Sequence, residues 1–243
     1  MSKLNFALVA ALALAACATA TPASAPSPQP THAATPERNP AVQIDASVFL
    51  PPPPQANGAL ELAERAIVRG PWTPERRAQA LADNAIDPFA AFDAVLGDNF
   101  TAANFPATLA VLDRAGRAAG FAGDPVKFIH RRPRPFVTDS SITSCIPDDE
   151  RLRASFSYPS GHAALGFGWA LVLAELVPSR ADAIIERGRD FTWSRVVCGV
   201  HYPSDVEAGR TVAAAAVARL HADPDFQRLL DAARVELASA YPN

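Results

Sequence analysis

The chain has 243 residues, 49% hydrophobic and 19% charged, with 22 basic against 25 acidic side chains and a formal net charge of −3. That is enough apolar material to bury one domain, and it excludes both a disordered chain and a protein that coats nucleic acid with a basic surface. Proline divides the chain into two regimes, since ten of its 23 prolines fall between Pro22 and Pro54.

Lys3 and the apolar run from Phe6 to Ala16 have the layout of a secretory signal and are too short to span a bilayer. Within the run, Leu14-Ala15-Ala16-Cys17 resembles the bacterial lipobox. It predicts a signal peptide over residues 1–16, cleavage before Cys17, a lipid anchor on that cysteine and a periplasmic protein tethered to a bacterial membrane. Ordinary cleavage at Ala18-Thr19-Ala20 or Ala23-Ser24-Ala25 is the alternative. Either route leaves Cys145 and Cys198 in an oxidising compartment, where they form one disulfide or remain two buried thiols. Residues 17–58 are rich in Pro, Ala, Ser, Thr and Gln and carry no apolar periodicity, so they are expected to form an extended, disordered tether ahead of a domain over 59–243.

After Gly58 the pattern turns helical. Thr73-Pro74-Glu75 supplies a capping hydroxyl followed by proline at the first helical position, and the pattern continues to Asn84. Further helices are predicted over Pro88 to Leu96, Pro106 to Ala119, Pro125 to His130, Gly161 to Leu176, Ser179 to Val196, Pro203 to Leu220 and Pro224 to Ala240. No segment alternates as a strand does, so the expected fold is all-α. The longest apolar run of the predicted domain, Ala163 to Ala174, stops at Glu175 and reads as a core helix.

Three patches carry chemistry. In Lys127-Phe-Ile-His-Arg-Arg-Pro-Arg134-Pro135, the prolines place Lys127 near a helix end and Arg134 on a stiff extended turn, although a basic cluster alone is an ordinary solvated surface. In Tyr158-Pro159-Ser160-Gly161-His162, a glycine admits close backbone approach, and free N–H groups at the start of the core helix suit an anion. Ser160 adds a hydroxyl, and His162 stands where it could protonate a departing oxygen; a plain serine cap is the competing reading. In Ser194-Arg195-Val-Val-Cys-Gly-Val-His201-Tyr-Pro-Ser-Asp205, the carboxylate lies one turn beyond the imidazole and can hold one ring nitrogen while the other attacks, or it can serve as a structural cap.

Taken together, Lys127 with six residues to Arg134-Pro135, then Pro159-Ser160-Gly161-His162, then Ser194-Arg195 with five residues to His201 and three to Asp205, resemble the tripartite signature of the type 2 phosphatidic acid phosphatase superfamily. All eleven fixed letters match. Within it the chain is most similar to the bacterial class A non-specific acid phosphatases, including at Leu96-Gly97, Phe105-Pro106-Ala107-Thr108 and Cys145-Ile-Pro-Asp-Asp-Glu150. The resemblance implies a helical bundle of the type shared with vanadium haloperoxidases, and an acid phosphatase that hydrolyses phosphate monoesters with broad specificity. It implies His201 as nucleophile oriented by Asp205, His162 as general acid and base, and phosphate binding by Lys127, Arg134, Ser160, Gly161 and Arg195.

No metal or other cofactor is expected. Of five histidines His32 falls in the tether, His130 and His221 read as surface or helix-end residues, and no metal-binding motif occurs. Asp148-Asp149-Glu150 reads as an acidic helix start. The expected ligands are small phosphomonoesters, phosphate and vanadate, with no nucleic acid, and an apolar helical surface would allow a homo-oligomer. The competing functions are a vanadium-dependent haloperoxidase and a non-catalytic phosphate-binding lipoprotein.

Overall fold

The structure, a computed structural model, describes residues 44–147 and 149–242. The predicted signal peptide, Cys17 and His32 lie outside the described residues. Eleven α-helices follow one another among these residues: α1 (Ala59–Arg69), α2 (Pro74–Ala82), α3 (Pro88–Leu96), α4 (Pro106–Ala122), α5 (Asp124–His130), α6 (Pro135–Thr138), α7 (Glu150–Ala154), α8 (Gly161–Leu176), α9 (Ala181–Val197), α10 (Pro203–Leu220) and α11 (Pro224–Ala238). No strand occurs among the described residues, in keeping with the all-α expectation.

The starts follow local chemistry. Thr73 Oγ1 accepts from Arg76 N at 3.2 Å, Asp87 caps α3 and Asp149 caps α7, and proline occupies the first turn of α2, α3, α4, α5, α6, α10 and α11. The bounds of α3, α8 and α10 are those expected from the sequence. Helix α9 begins two residues late because Pro178–Arg180 forms a 3₁₀ turn.

Helix α8 is the centre of the bundle, packed against α4, α9 and α10, with α11 against α4. It is apolar all round because neighbours cover it on several sides, and Trp169, Val172 and Leu173 are buried within it. Close approach demands small residues here: a Cβ on Gly166 would stand 2.2 Å from a ring carbon of Phe191.

One expectation is corrected. The tether does not run to residue 58, because the chain is already packed on the domain from Ile44, where Ala46–Val48 forms a 3₁₀ turn and Ala46 and Leu50 are buried. The Tyr158 hydroxyl donates to the Pro51 carbonyl at 2.5 Å. Anchors this sparse make no periodic pattern, and the proline run lacks N–H groups that would need partners. Helix α1 was not delimited by the sequence because its inward positions are Glu61, Glu64 and Val68, two of them carboxylates.

Candidate active site

The end of α9, the turn after it and the start of α10 form one wall. Arg195 is buried in the last turn of α9, Gly199 turns the chain at φ +76°, and the N–H groups of Val200 and His201 both donate to the Arg195 carbonyl, at 3.2 and 3.3 Å. Cys198 in this turn is bonded to Cys145 as a disulfide spanning 53 residues, with Cα atoms 4.8 Å apart. Beside it the Cys145 N–H donates to the Cys198 carbonyl at 3.0 Å. The loop before α7 is thereby fastened three residues from His201.

The structure brings all three sequence patches together. Ser160 N donates to the Asp205 carbonyl at 2.9 Å, joining the start of α8 to the first turn of α10. Lys127 Nζ donates to the Pro159 carbonyl at 2.5 Å and to the Phe156 carbonyl at 3.3 Å, so α5 is tied to the loop that enters α8. Arg134, extended as expected, donates from Nη1 to the Val200 carbonyl at 2.9 Å and lies 3.0 Å from His201 Nε2. Ser160 Oγ accepts from Ala163 N at 3.3 Å and Gly161 is the first helical residue, so Ser160 is a helix cap. Asp205 is a cap, with Oδ2 accepting the Tyr202 N–H at 2.8 Å, and the same oxygen lies 3.4 Å from His201 Nδ1.

The site is buried and strongly basic. Burial, then Arg134, push Lys127 down to about 8; burial lowers Arg134 to about 10 against the pull of Asp205, and burial, then Arg134, lower Arg195 to about 10, so both arginines stay charged at neutral pH. Among the described residues Arg195 Nε, also buried, has no hydrogen-bond partner, and Nη1 is held by Asn84 Oδ1 at 3.1 Å. Three cations and an orphaned donor fit an anion. His201 is kept well below its ordinary value by burial and then Arg134. Burial raises the Asp205 carboxyl, but His201, Arg132 and Ser157 outweigh it and hold the group at about 2. Burial, then Arg195, push His162 to about 3, so the ring is neutral near pH 7. A neutral resting state was not foreseen, because sequence spacing does not reveal the depth of burial or the field of Arg195. His162 Nε2 donates to the Asp83 carbonyl at 2.8 Å, and its ring stacks on Phe191 at 5.1 Å. Nδ1 is then the nitrogen left for a ligand.

Several supporting residues escaped the sequence. Arg132 is buried and donates to Asp205 Oδ1 at 2.7 Å and to Glu64 Oε2 at 2.8 Å, with its guanidinium 3.7 Å over the Tyr202 ring. It lay inside the basic cluster, undistinguished from its neighbours. The Asp83 carboxylate, just past α2, accepts from Arg187 at 2.6 Å and from the Ser194 hydroxyl at 2.5 Å, which fixes the carbonyl that holds His162. Elsewhere His130 closes α5 edge-on to Tyr158, and His221 caps the end of α10 and pairs with Glu175. Both are helix-end residues, as expected.

Residues 114–228 match the model of the PAP2 superfamily, a span that contains every signature residue. The chain is 39% identical over 202 residues to the non-specific acid phosphatase of Providencia stuartii, covering 80% of this chain and 82% of that one. This chain belongs to the PAP2 superfamily. It is also 38% identical over 210 residues to the non-specific acid phosphatase of Salmonella typhimurium, covering 83% and 84% of the two chains. The acid phosphatase of Zymomonas mobilis is 41% identical over 144 residues, 59% of this chain and 54% of that one. Within the superfamily the similarity is therefore to acid phosphatases, and it extends over most of the chain.

Proposed function

We propose that this PAP2 phosphatase is an exported acid phosphatase that hydrolyses small phosphate monoesters of varied structure through a phosphohistidine on His201. The observation that carries the reading is the His201 ring itself. Nε2 faces Arg134, a group that can only donate, so this nitrogen carries the lone pair and Nδ1 the proton. Nε2 attacks phosphorus, the bond to the ester oxygen breaks, and its electron pair leaves with that oxygen, which takes a proton from His162. Water then attacks the phosphorus of the phosphohistidine, gives a proton to His162, and phosphate departs as the P–N bond breaks. Lys127, Arg134, Arg195, the Ser160 hydroxyl and the Gly161 N–H hold the equatorial oxygens during each in-line displacement.

The neutral resting state of His162 assigns the substrate a part in this cycle. A phosphate dianion offsets the field of Arg195 and its fellow cations and so favours the protonated ring against its burial, or the monoanion delivers the proton itself. With a phosphate second pKa of about 6, kcat/KM is expected to peak on the acid side of neutral and fall as the solution is made alkaline. A profile flat to pH 9 contradicts this.

The direct test follows a chromogenic phosphomonoester. Activity that persists with chelator, yields to vanadate and falls at least about 10³-fold in His201→Ala is expected, together with acid-labile label from a radioactive substrate on His201. Bromide oxidation by peroxide with added vanadate would instead favour haloperoxidase chemistry. Phosphate binding without turnover would favour a binding lipoprotein. Export and lipidation are tested separately, by membrane fractionation of the wild type and Cys17→Ala after labelling with a radioactive fatty acid.

A further inference from the structure

The contact between His201 and Asp205 is too long for a good hydrogen bond, at 3.4 Å from Nδ1 to Oδ2. A third group stands beside it. The hydroxyl of Ser157, wholly buried, lies 2.5 Å from Asp205 Oδ2 and 3.2 Å from His201 Nδ1. The direction of each bond follows from the inventory of protons. An ionised carboxylate only accepts, so the Ser157 O–H is donated to Asp205. The serine's lone pairs are then left for the proton on Nδ1, which is where the Arg134 contact at Nε2 requires that proton to be. The serine backbone is fixed as well, because Ser157 N donates to the Arg132 carbonyl at 2.8 Å while the Arg132 side chain holds the other oxygen of Asp205.

We infer that Ser157 is a positioning residue for the nucleophile, bridging the His201 imidazole to the Asp205 carboxylate in a chain His201 Nδ1–H to Ser157 O–H to Asp205. The inference deepens the proposed function, on which it rests. The bridge fixes the tautomer that presents Nε2 to phosphorus. It also lets the carboxylate answer the positive charge that develops on the ring as the P–N bond forms, although the two groups are 3.4 Å apart. Neither Ser157 nor Arg132 needs to touch the phosphoryl group for this role.

The test compares Ser157→Ala and Ser157→Thr with the wild type in the full chain. Loss of a charge-assisted hydrogen bond predicts a fall in kcat of about 10- to 100-fold in Ser157→Ala. The inhibition constant of inorganic phosphate should stay within about twofold, since the cationic cradle is untouched, and Ser157→Thr should recover most of the rate. If Ser157→Ala does not fold, Ser157→Cys carries the same expectation, because it keeps the volume with a weak donor. A kcat within twofold of wild type, a loss of phosphate affinity equal to the loss of rate, or a threonine variant no better than alanine overturns the inference. A readout independent of turnover is the imidazole N–H resonance of His201. It should be downfield and protected in the wild type, and lost or shifted in Ser157→Ala. If the wild type has no phosphatase activity the proposed function fails, and this resonance alone decides the bridge: its persistence unchanged in Ser157→Ala overturns it.

Discussion

Helices α1 and α8 bury their inward faces with opposite chemistry. Helix α8 turns Ala164, Trp169, Val172 and Leu173 to its neighbours, and its burial is secured by apolar area and close packing. Helix α1 turns Glu61 and Glu64 inward, and each is held by specific partners: Arg65 and the Asn57 N–H for the first, Arg132 and the Ser204 N–H for the second. The apolar helix builds the platform that carries Ser160, Gly161 and His162 at its start. The acidic helix supplies a countercharge to Arg132 and so reaches Asp205 at one remove. The lesson is that the frame of the site is hydrophobic and replaceable in kind, whereas its charge balance depends on single pairs.

The sharpest way to break this contrast is Glu64→Ala. It leaves Arg132 with an uncompensated part of its buried charge, and denaturant unfolding should show a loss of about 3–5 kcal/mol. The activity per folded molecule should fall too, because Arg132 also orients Asp205. The matching change in the frame is Gly166→Ala, where the added methyl collides with Phe191. Overpacking predicts a loss of about 1–3 kcal/mol, with the activity of the folded fraction retained; a large drop in specific activity would show that frame and site are not separable as described.

Acidification tests the buried charge balance of the site without mutation. The unfolded chain protonates its histidines near 6.5, while folded His162 does not until about 3, and His201 is also depressed. The unfolded state therefore binds more protons as the pH falls below 6.5, and the unliganded protein should lose stability across that window, by about 2 kcal/mol for His162 at pH 5. Phosphate or vanadate, which offset the cations but not the burial, should reduce the effect, as thermal melts at pH 7 and 5 with and without ligand will measure. The smallest effect has the opposite sign. Burial would lower His221, but the Val217 carbonyl and Glu175 outweigh it and raise its pKa. Its contribution is present below about 6.5 and lost as the pH rises through the folded value. His221→Ala should therefore cost less than about 1 kcal/mol at pH 5.5 and nothing measurable at pH 8.5.

The sequence made legible what is periodic or spaced. Pro88, Gly161 and Pro203 announced helices whose bounds the structure repeats, and the tripartite spacing located Lys127, Arg134, Ser160, His162, Arg195, His201 and Asp205 at one site. What stayed hidden depends on three dimensions. Glu64 and Arg132 are 68 residues apart and meet only because α1 crosses the start of α10. Ser157 precedes Pro159 by two residues, yet nothing in one strand of letters says that its hydroxyl turns toward Asp205. The protonation of His162 was hidden for the same reason, since burial is a property of the packed chain.

The strap from Ile44 to Pro54 sets where the folded unit begins. A proteolytic cut ahead of Ile44 leaves every contact described above in place, whereas one past Pro51 removes Ala46 and Leu50 from their pockets and the carbonyl that receives the Tyr158 hydroxyl. Tyr158 is a neighbour of both Ser157 and Pro159, so the second cut would unfasten the loop that Lys127 grips. A cut that the folded unit tolerates and one that damages the site are thus separated by the short stretch between Ile44 and Pro51.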